Sequence, residues 1–427
     1  MVKHRVKFVP LLLAFFVVAC SPSGSDGPAA DLPDTHEDIV AADTPPAPDD
    51  TVDATEDQTP ADLVEPIEVL PTTLNKGPWL QWVTPEKFHV MAESADEVPL
   101  VFEVYVEGAL HTTVTSQPFK PDFSADILPL PSPAGWMHWA QITGVAPGEA
   151  FEILVLNTQD TASGLVPAIG MPVNLVLFGD TRTNDEAHQM VVNAIRQEAP
   201  ALVLHSGDLM ASGAEVDQWQ RFFEIEADLL ANTFFYPIFG NHEAFGQPYF
   251  DTFFHTEGNF KNERNWSTIW GDFGFLGMEI YTTDWSETEA LAWLDQELSK
   301  LRENALWVIV AFHEPMYTFS NHGPWNKGRE HVLPLLEYHQ VDLLIAGHNH
   351  CYEHFLVNGI HHIVSGGGGA PLYGSDEGPP EEQDLLVMAR KDFHYVRVDM
   401  QPEQITLSAV VAETGEVFDT WTIPETP

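Results

Sequence analysis

Val173-Asn174-Leu175-Val176-Leu177-Phe178-Gly179-Asp180 reads as a buried β-strand that stops in a Gly-Asp turn. The same device recurs downstream. Leu202-Val203-Leu204 leads to Gly207-Asp208, and Phe234 to Phe239 leads to Gly240-Asn241-His242-Glu243. Trp307 to Phe312 ends at His313, and Leu343-Leu344-Ile345-Ala346 ends at Gly347-His348-Asn349-His350. Helical spacing appears between these strands at Ala187, Met190, Val191, Ala194 and Ile195, over Glu215 to Leu230, over Ala290 to Leu301 and over Val332 to Tyr338. Strand and helix in alternation predict a layered α/β domain. In such sheets ligands gather beyond the carboxyl ends of the strands, where all five polar segments fall. Asp, Asn and His are the ligand types that hold a pair of divalent metals, and Gly allows a tight turn beside them. The chemistry that fits is two-metal hydrolysis, above all of a phosphoester.

Upstream, residues 75–168 read as short β-prone runs separated by Pro, Gly and Asp, among them Phe88 to Ala92, Leu100 to Val106 and Phe151 to Leu156. They predict an antiparallel sandwich without any cluster of ligands. Its stretch Ile142 to Gly148 resembles a loop of fibronectin type III-like domains. Beyond the last metal motif, strands are expected near Ile360–Val364, Phe393–Val398, Ile405–Val411 and Val417–Ile423, completing a second sheet. The irregular, aromatic-rich stretch 244–267 reads as an insertion.

The order of the five polar segments resembles the calcineurin-like metallophosphoesterase superfamily, and within it the purple acid phosphatase-like enzymes in a bacterial lipoprotein form. That resemblance implies a metallophosphoesterase β-sandwich flanked by helices over 169–427, preceded by the all-β domain over 75–168. It implies that Asp208 bridges two metals, that Asp180 and His350 bind the first, and that Asn241, His313 and His348 bind the second. The metals would be two divalent or trivalent ions, Fe, Mn or Zn. His242 matches the superfamily histidine that lies beside the metals and serves the leaving oxygen. His322, nine residues after His313, matches a substrate-contacting histidine. The implied activity is hydrolysis of phosphate esters by metal-activated hydroxide. A phosphodiesterase acting on nucleotides or lipid head groups, and a non-catalytic surface-binding protein, remain open at this point.

Two positions depart from the pattern. Many superfamily members carry a histidine two residues after the first Asp, where this chain has Arg182. Purple acid phosphatases carry a tyrosine three residues after the second Asp, where it has Ala211. The first metal is therefore expected to be one protein ligand short. Water, Asn184 or His188 are candidates to fill the gap, and Arg182 is expected to grip phosphate oxygens. Ser365-Gly366-Gly367-Gly368-Gly369 lacks the Lys and helix of a P-loop and reads as a loop of close approach beside the site.

At the N-terminus, Lys3, Arg5 and Lys7 precede an apolar run from Phe8 to Ala19 that is too short to span a bilayer at ~20 residues. It ends Val17-Val18-Ala19-Cys20, which resembles a lipoprotein signal with residues 1–19 removed and Cys20 lipid-modified. Residues 20–74, acidic and rich in Pro, contain no Lys or Arg and read as a disordered tether. A cell-envelope protein held to a membrane through Cys20, with the outer membrane favoured by Ser21, is the expectation. The net charge of −46 argues against a nucleic-acid-binding surface. It does not argue against phosphoester cleavage, because paired cations make their own cleft positive.

Overall fold

A computed structural model describes residues 67–120, 135–253, 260 and 264–424. The signal segment, Cys20 and nearly all of the tether lie outside the described residues.

Runs that are apolar on both faces make strands that can be covered on both sides. Val173–Phe178, Leu202–His205 and Phe234–Pro237 pair in parallel at the centre of a ten-stranded sheet, with Leu202 opposite both Leu175 and Phe234. A seven-stranded sheet has a parallel centre of its own: Phe273–Met278, Trp307–Phe312, Leu343–Ala346 and Ile360–Ser365. The inner faces of the two sheets meet in one core, to which Leu175, Leu204 and Tyr236 contribute from the first sheet and Phe275, Ile309 and Ile345 from the second.

Alternate residues face outward and are covered by helices. Val176, Phe178 and Val203 pack with Val191 and Ile195 of the helix Asp185–Gln197 and with Trp219 and Phe222 of Val216–Leu230. On the far side, Val308, Val310 and Leu344 pack with Leu294 and Leu298 of Thr288–Asn304 and with Leu336 of Leu333–Tyr338. The first of these helices starts where Asn184 accepts a hydrogen bond from the Ala187 backbone amide, with Asp185 and Glu186 in its first turn facing the positive end of its dipole. The result is the expected α/β layered sandwich.

Residues 74–165 are all-β among the described residues, as expected, but they divide between two sheets. Ala109–Thr115, Val101–Val106, Ala150–Val155 and Thr161–Leu165 form a four-stranded sheet. Leu74–Gln81 instead runs parallel to Phe234–Pro237, with Leu80 opposite Phe234, and carries Lys87–Ser94, Trp136–Thr143 and Gln117–Phe119 outward as one arm of the ten-stranded sheet. The all-β segment thus shares hydrogen bonds and a core with the α/β residues that follow it.

The C-terminal strands differ from expectation. Ile360–Ser365 does join the second sheet, but His394–Gln401, Gln404–Val411 and Val417–Ile423 extend the first, through the antiparallel pair Val396 with Leu177. Both edges of Val173–Phe178 are therefore hydrogen-bonded, and the strand that delivers Asp180 is central. Within the 244–267 insertion, Gln247–Phe253 forms a short helix whose Phe253 ring packs 5.6 Å from Trp79 and 5.4 Å from Trp219.

Phe234 sits where all three sheets meet, with ring centroids 5.7 Å from Phe88, 6.1 Å from Phe151 and 5.4 Å from Trp270. Removing the ring would leave a cavity that three rigid layers cannot close together. Phe234→Ala is expected to cost about 3–5 kcal/mol in denaturant unfolding. A loss below about 1 kcal/mol would show that the three layers relax independently.

Candidate metal centre

The site forms at the carboxyl ends of strands from both large sheets. Asp180, Asp208 and Asn241 follow the three central parallel strands of the first. His313 directly follows Trp307–Phe312 of the second, and His348 and His350 follow Leu343–Ala346. Asp180, Asp208 and His348 turn sharply out of their strands in the left-handed region, with φ of 57°, 57° and 68°. Non-glycine residues hold such angles at a cost of about 1–3 kcal/mol each when surrounding contacts enforce them.

Two groups of ligating atoms converge. Asp208, His313 and His348 place one donor atom each within 4.8 Å of one another, and so do Asp180, Asp208 and His350. Asp208 is common to both. Asn241 joins the first of these groups, its Oδ1 lying 3.1 Å from Nδ1 of His348. All six residues named from sequence as metal ligands are thus brought to one place, with Asp208 shared by the two groups.

Surrounding groups fix which atoms face inward. Nδ1 of His313 donates to the Ser206 carbonyl at 2.7 Å, and Nδ1 of His350 donates to the Pro371 carbonyl at 2.8 Å, so each ring turns Nε2 to the site. The His348 amide donates to Asp180 Oδ2 at 2.9 Å. His205 is buried and joins the two Gly-Asp turns, accepting from the Gly207 amide at 3.2 Å and meeting Thr181 Oγ1 at 3.2 Å. Cys351 is a buried thiol outside both clusters, its pKa pushed up to about 12 by burial.

The glycine run is a loop of close approach, as expected. The Gly368 amide bonds to the Gly179 carbonyl at 2.9 Å, and Ala370 bonds to the Asp180 carbonyl at 2.8 Å. A Cβ at Gly368 would lie 2.4 Å from the Gly179 oxygen, so a side chain there would displace the turn bearing Asp180.

The charges suit cations. Burial holds the Asp180 carboxyl above the ordinary carboxylate range. Burial would raise Asp208 too, but the neighbouring His313 and His242 outweigh it and hold that carboxyl below its usual value. Burial pushes His348 down to about 3 and His350 to about 4, so both are neutral imidazoles, the form that ligates metal. Burial opposes charge on His313 as well, yet the Asp208 and Asp180 carboxylates lift it to about 10. Asp180 Oδ1 is buried without a hydrogen-bond partner, with His350 Nε2 3.6 Å away, while the buried His313 Nε2 lies 3.3 Å from Asp208 Oδ1. An unpartnered carboxylate oxygen beside a second carboxylate and two neutral imidazoles is what a metal ion would satisfy, with His313 giving up its proton to ligate.

The remaining expected residues surround this centre. His242 donates its backbone amide to Asp208 Oδ1 at 3.1 Å, its Nδ1 bonds to the Ala211 carbonyl at 2.6 Å, and its Nε2 lies 3.7 Å from Asp208 Oδ2. His322 is exposed at the rim with its ring 4.5 Å from that of His348. Arg182 turns inward to Asp208 and His350. Asn184 and His188 do not supply the missing ligand. Asn184 caps its helix, and His188 Nε2 pairs with the buried Glu226 at 2.7 Å.

Two further residues matter that the motif reading passed over. Glu243 is fully buried, and its two oxygens accept from the backbone amides of Asp208 (3.0 Å), Leu209 (2.9 Å) and Gly240 (2.8 Å). It ties the Asp208 turn to the Asn241 turn. Burial, reinforced by Asp208, pushes its pKa up to about 7. Its signal was its place directly after Asn241-His242. Tyr373 stacks on His350 with centroids 4.2 Å apart, and nothing in the sequence around it marks that role.

Residues 173–352 match the calcineurin-like phosphoesterase family. The chain carries a calcineurin-like metallophosphoesterase domain. Among related proteins, purple acid phosphatase 7 of Arabidopsis thaliana is 32% identical over 119 residues, which are 26% of this chain and 36% of that protein. Purple acid phosphatase 21 of the same plant is 25% identical over 239 residues, 52% of this chain and 54% of that protein. The chain therefore spans about half or less of the length of these relatives. Purple acid phosphatase PPD1 from yellow lupin (Lupinus luteus) seeds superposes with a TM-score of 0.70 at 18% identity, over 81% of this chain and 73% of that one. At that identity the likeness speaks to the fold. The metallophosphoesterase domain of this chain carries all six candidate ligands within the matched residues.

Glu243→Ala would leave three buried amides unpaired beside Asp208 and Asn241. Metal affinity measured by calorimetry is expected to fall by about 10–100-fold, as when a ligand's outer support is lost. An unchanged Kd would show that the two turns hold their shape without it.

Proposed function

We propose that the chain is a dinuclear-metal-dependent phosphoesterase. The observation that carries this reading is Asp208, one carboxylate shared by two ligand clusters at the facing ends of two sheets. Two bound cations, with Fe, Mn and Zn all suited to the donor set, would supply a hydroxide nucleophile and neutralise charge on the phosphoryl group. Asp180 and His350 would hold one, Asn241, His313 and His348 the other, with Asp208 between them.

The chain's own residues supply the rest. His242, fixed through Nδ1 to the Ala211 carbonyl, presents Nε2 beside Asp208 and is 26% exposed, so a leaving-group oxygen can reach it. In its protonated form it donates to that oxygen as the ester bond breaks. His322 at the rim, held by its amide to Asn349 Oδ1 at 2.9 Å, is placed to contact the ester. Arg182 lies at the same mouth and can donate to phosphoryl oxygens once turned toward them.

A panel of aryl phosphate mono- and diesters, run on the metal-loaded protein, tests the activity and separates monoesterase from diesterase. His242→Ala is expected to keep its metal content and lose roughly a hundredfold or more in kcat. Metal-loaded protein with no turnover of any ester would defeat the catalytic reading and leave a binding role.

The site belongs at the cell envelope in this proposal. The basic start, the apolar run and Val17-Val18-Ala19-Cys20 support export and lipid attachment at Cys20, with the acidic stretch as tether. Cys20→Ser is expected to move the protein from the membrane fraction to the soluble one with kcat/KM unchanged. A variant that stays with the membrane would remove the anchor.

A further inference from the structure

Arg182 is built into the metal centre. Its Nε donates to Asp208 Oδ2 at 3.3 Å, and its Nη2 donates to Nε2 of His350 at 3.1 Å. Those acceptors belong to two of the three side chains in the Asp180–Asp208–His350 cluster. Nδ1 of His350 is engaged by the Pro371 carbonyl, so Nε2 is its lone-pair nitrogen. An N–H aimed at that lone pair occupies the direction from which a metal would be ligated. The arginine side chain is only 16% exposed, so little water screens these contacts.

One local feature holds the arginine inward and another gives it room to leave. Thr183 next to it holds φ at 78°, a left-handed angle that a β-branched residue rarely adopts. Its Oγ1 also receives Arg182 Nη1 at 3.4 Å, so the strained turn aims the guanidinium inward. On the other side, a cleft of about 310 Å³ opens along Arg182, Ala211, Asp185 and Asp217. The small side chain of Ala211 leaves room there; Asp217 borders it, as does Asp185, which is paired with Arg221 of the same lining at 2.8 Å.

A protonated imidazole gives up its proton when a metal binds, whereas a guanidinium stays charged and has to move bodily. We propose that Arg182 is the resident cation of the first metal position, so that the centre binds its two metals unequally. The Asp208–Asn241–His313–His348 site fills tightly. The Asp180–Asp208–His350 site fills only as the guanidinium turns out into the cleft beside Ala211. This rests on the two-metal reading of the site and adds an order and a control to its loading.

Titration of the metal-free full chain with Mn²⁺, followed by calorimetry and by electron paramagnetic resonance, tests the proposal. The wild type is expected to bind one equivalent at least about tenfold more tightly than a second, the scale of effect that outer groups exert on metal sites. In both Arg182→Ala and Arg182→Met the second equivalent should tighten by about tenfold or more, and the spin-coupled pair signal should appear at correspondingly lower Mn²⁺. The first equivalent should shift by less than about threefold. Two equivalents of equal affinity in the wild type would overturn the proposal while leaving the two-metal centre intact. So would a second equivalent unchanged in both variants. Absence of stoichiometric Mn²⁺ from the wild type would overturn the metal centre itself, and the role of Arg182 with it.

Discussion

Burying two carboxylates side by side is the constraint on which this molecule turns. Asp180 and Asp208 are both withdrawn from water at the seam between two sheets. Each would be costly there without positive charge or hydrogen bonds close by. Backbone amides from His348 and His242, the His313 imidazole and the Arg182 guanidinium all converge on them. Apart from Arg182, two residues after Asp180, none of these partners lies near either carboxylate in sequence. The acidic pair therefore demands that both sheets be assembled and in register before it is paid for, and the same assembly creates the cation site.

Geometry is enforced from outside the ligand set. Left-handed turns at Asp180, Asp208 and His348 are held by the Gly368 and Ala370 amide contacts, by the Glu243 bonds and by the His205 bridge. The strand carrying Asp180 is clamped on both edges, on one side by a strand more than two hundred residues later in the chain. Rigid strand ends and supported turns preorganise the ligands, which is where the precision of a metal centre comes from. His242 and His322 sit on the loop side of this frame, where a substrate can enter.

Much of this was legible in the sequence because it is local. A strand that ends in Gly-Asp or Gly-Asn-His announces both its own limit and a candidate ligand, and the family that the order of these segments resembles implies the set of six. Partner choice between strands is not local, which is why His394–Gln401 and its two neighbours joined the first sheet rather than the second. Tyr352–Val357 was passed over as a strand because Glu353 and His354 interrupt its apolar pattern. Both are buried, with Glu353 satisfied by Thr318 Oγ1 and the Phe319 amide and His354 by Asp419. Glu243 and Tyr373 escaped for a related reason: their functions are defined by amides and a ring that distant segments bring to them. Asn184 and His188 looked available as ligands only because sequence cannot show a cap or a buried ion pair.

Anomalous diffraction from crystals grown at saturating Mn²⁺ or Zn²⁺ measures the central claim most directly. Two peaks about 3.5–4 Å apart, both in contact with Asp208, are the expected result. A map with no ion on Asp208, or with ions held by other residues, would contradict the shared-carboxylate centre.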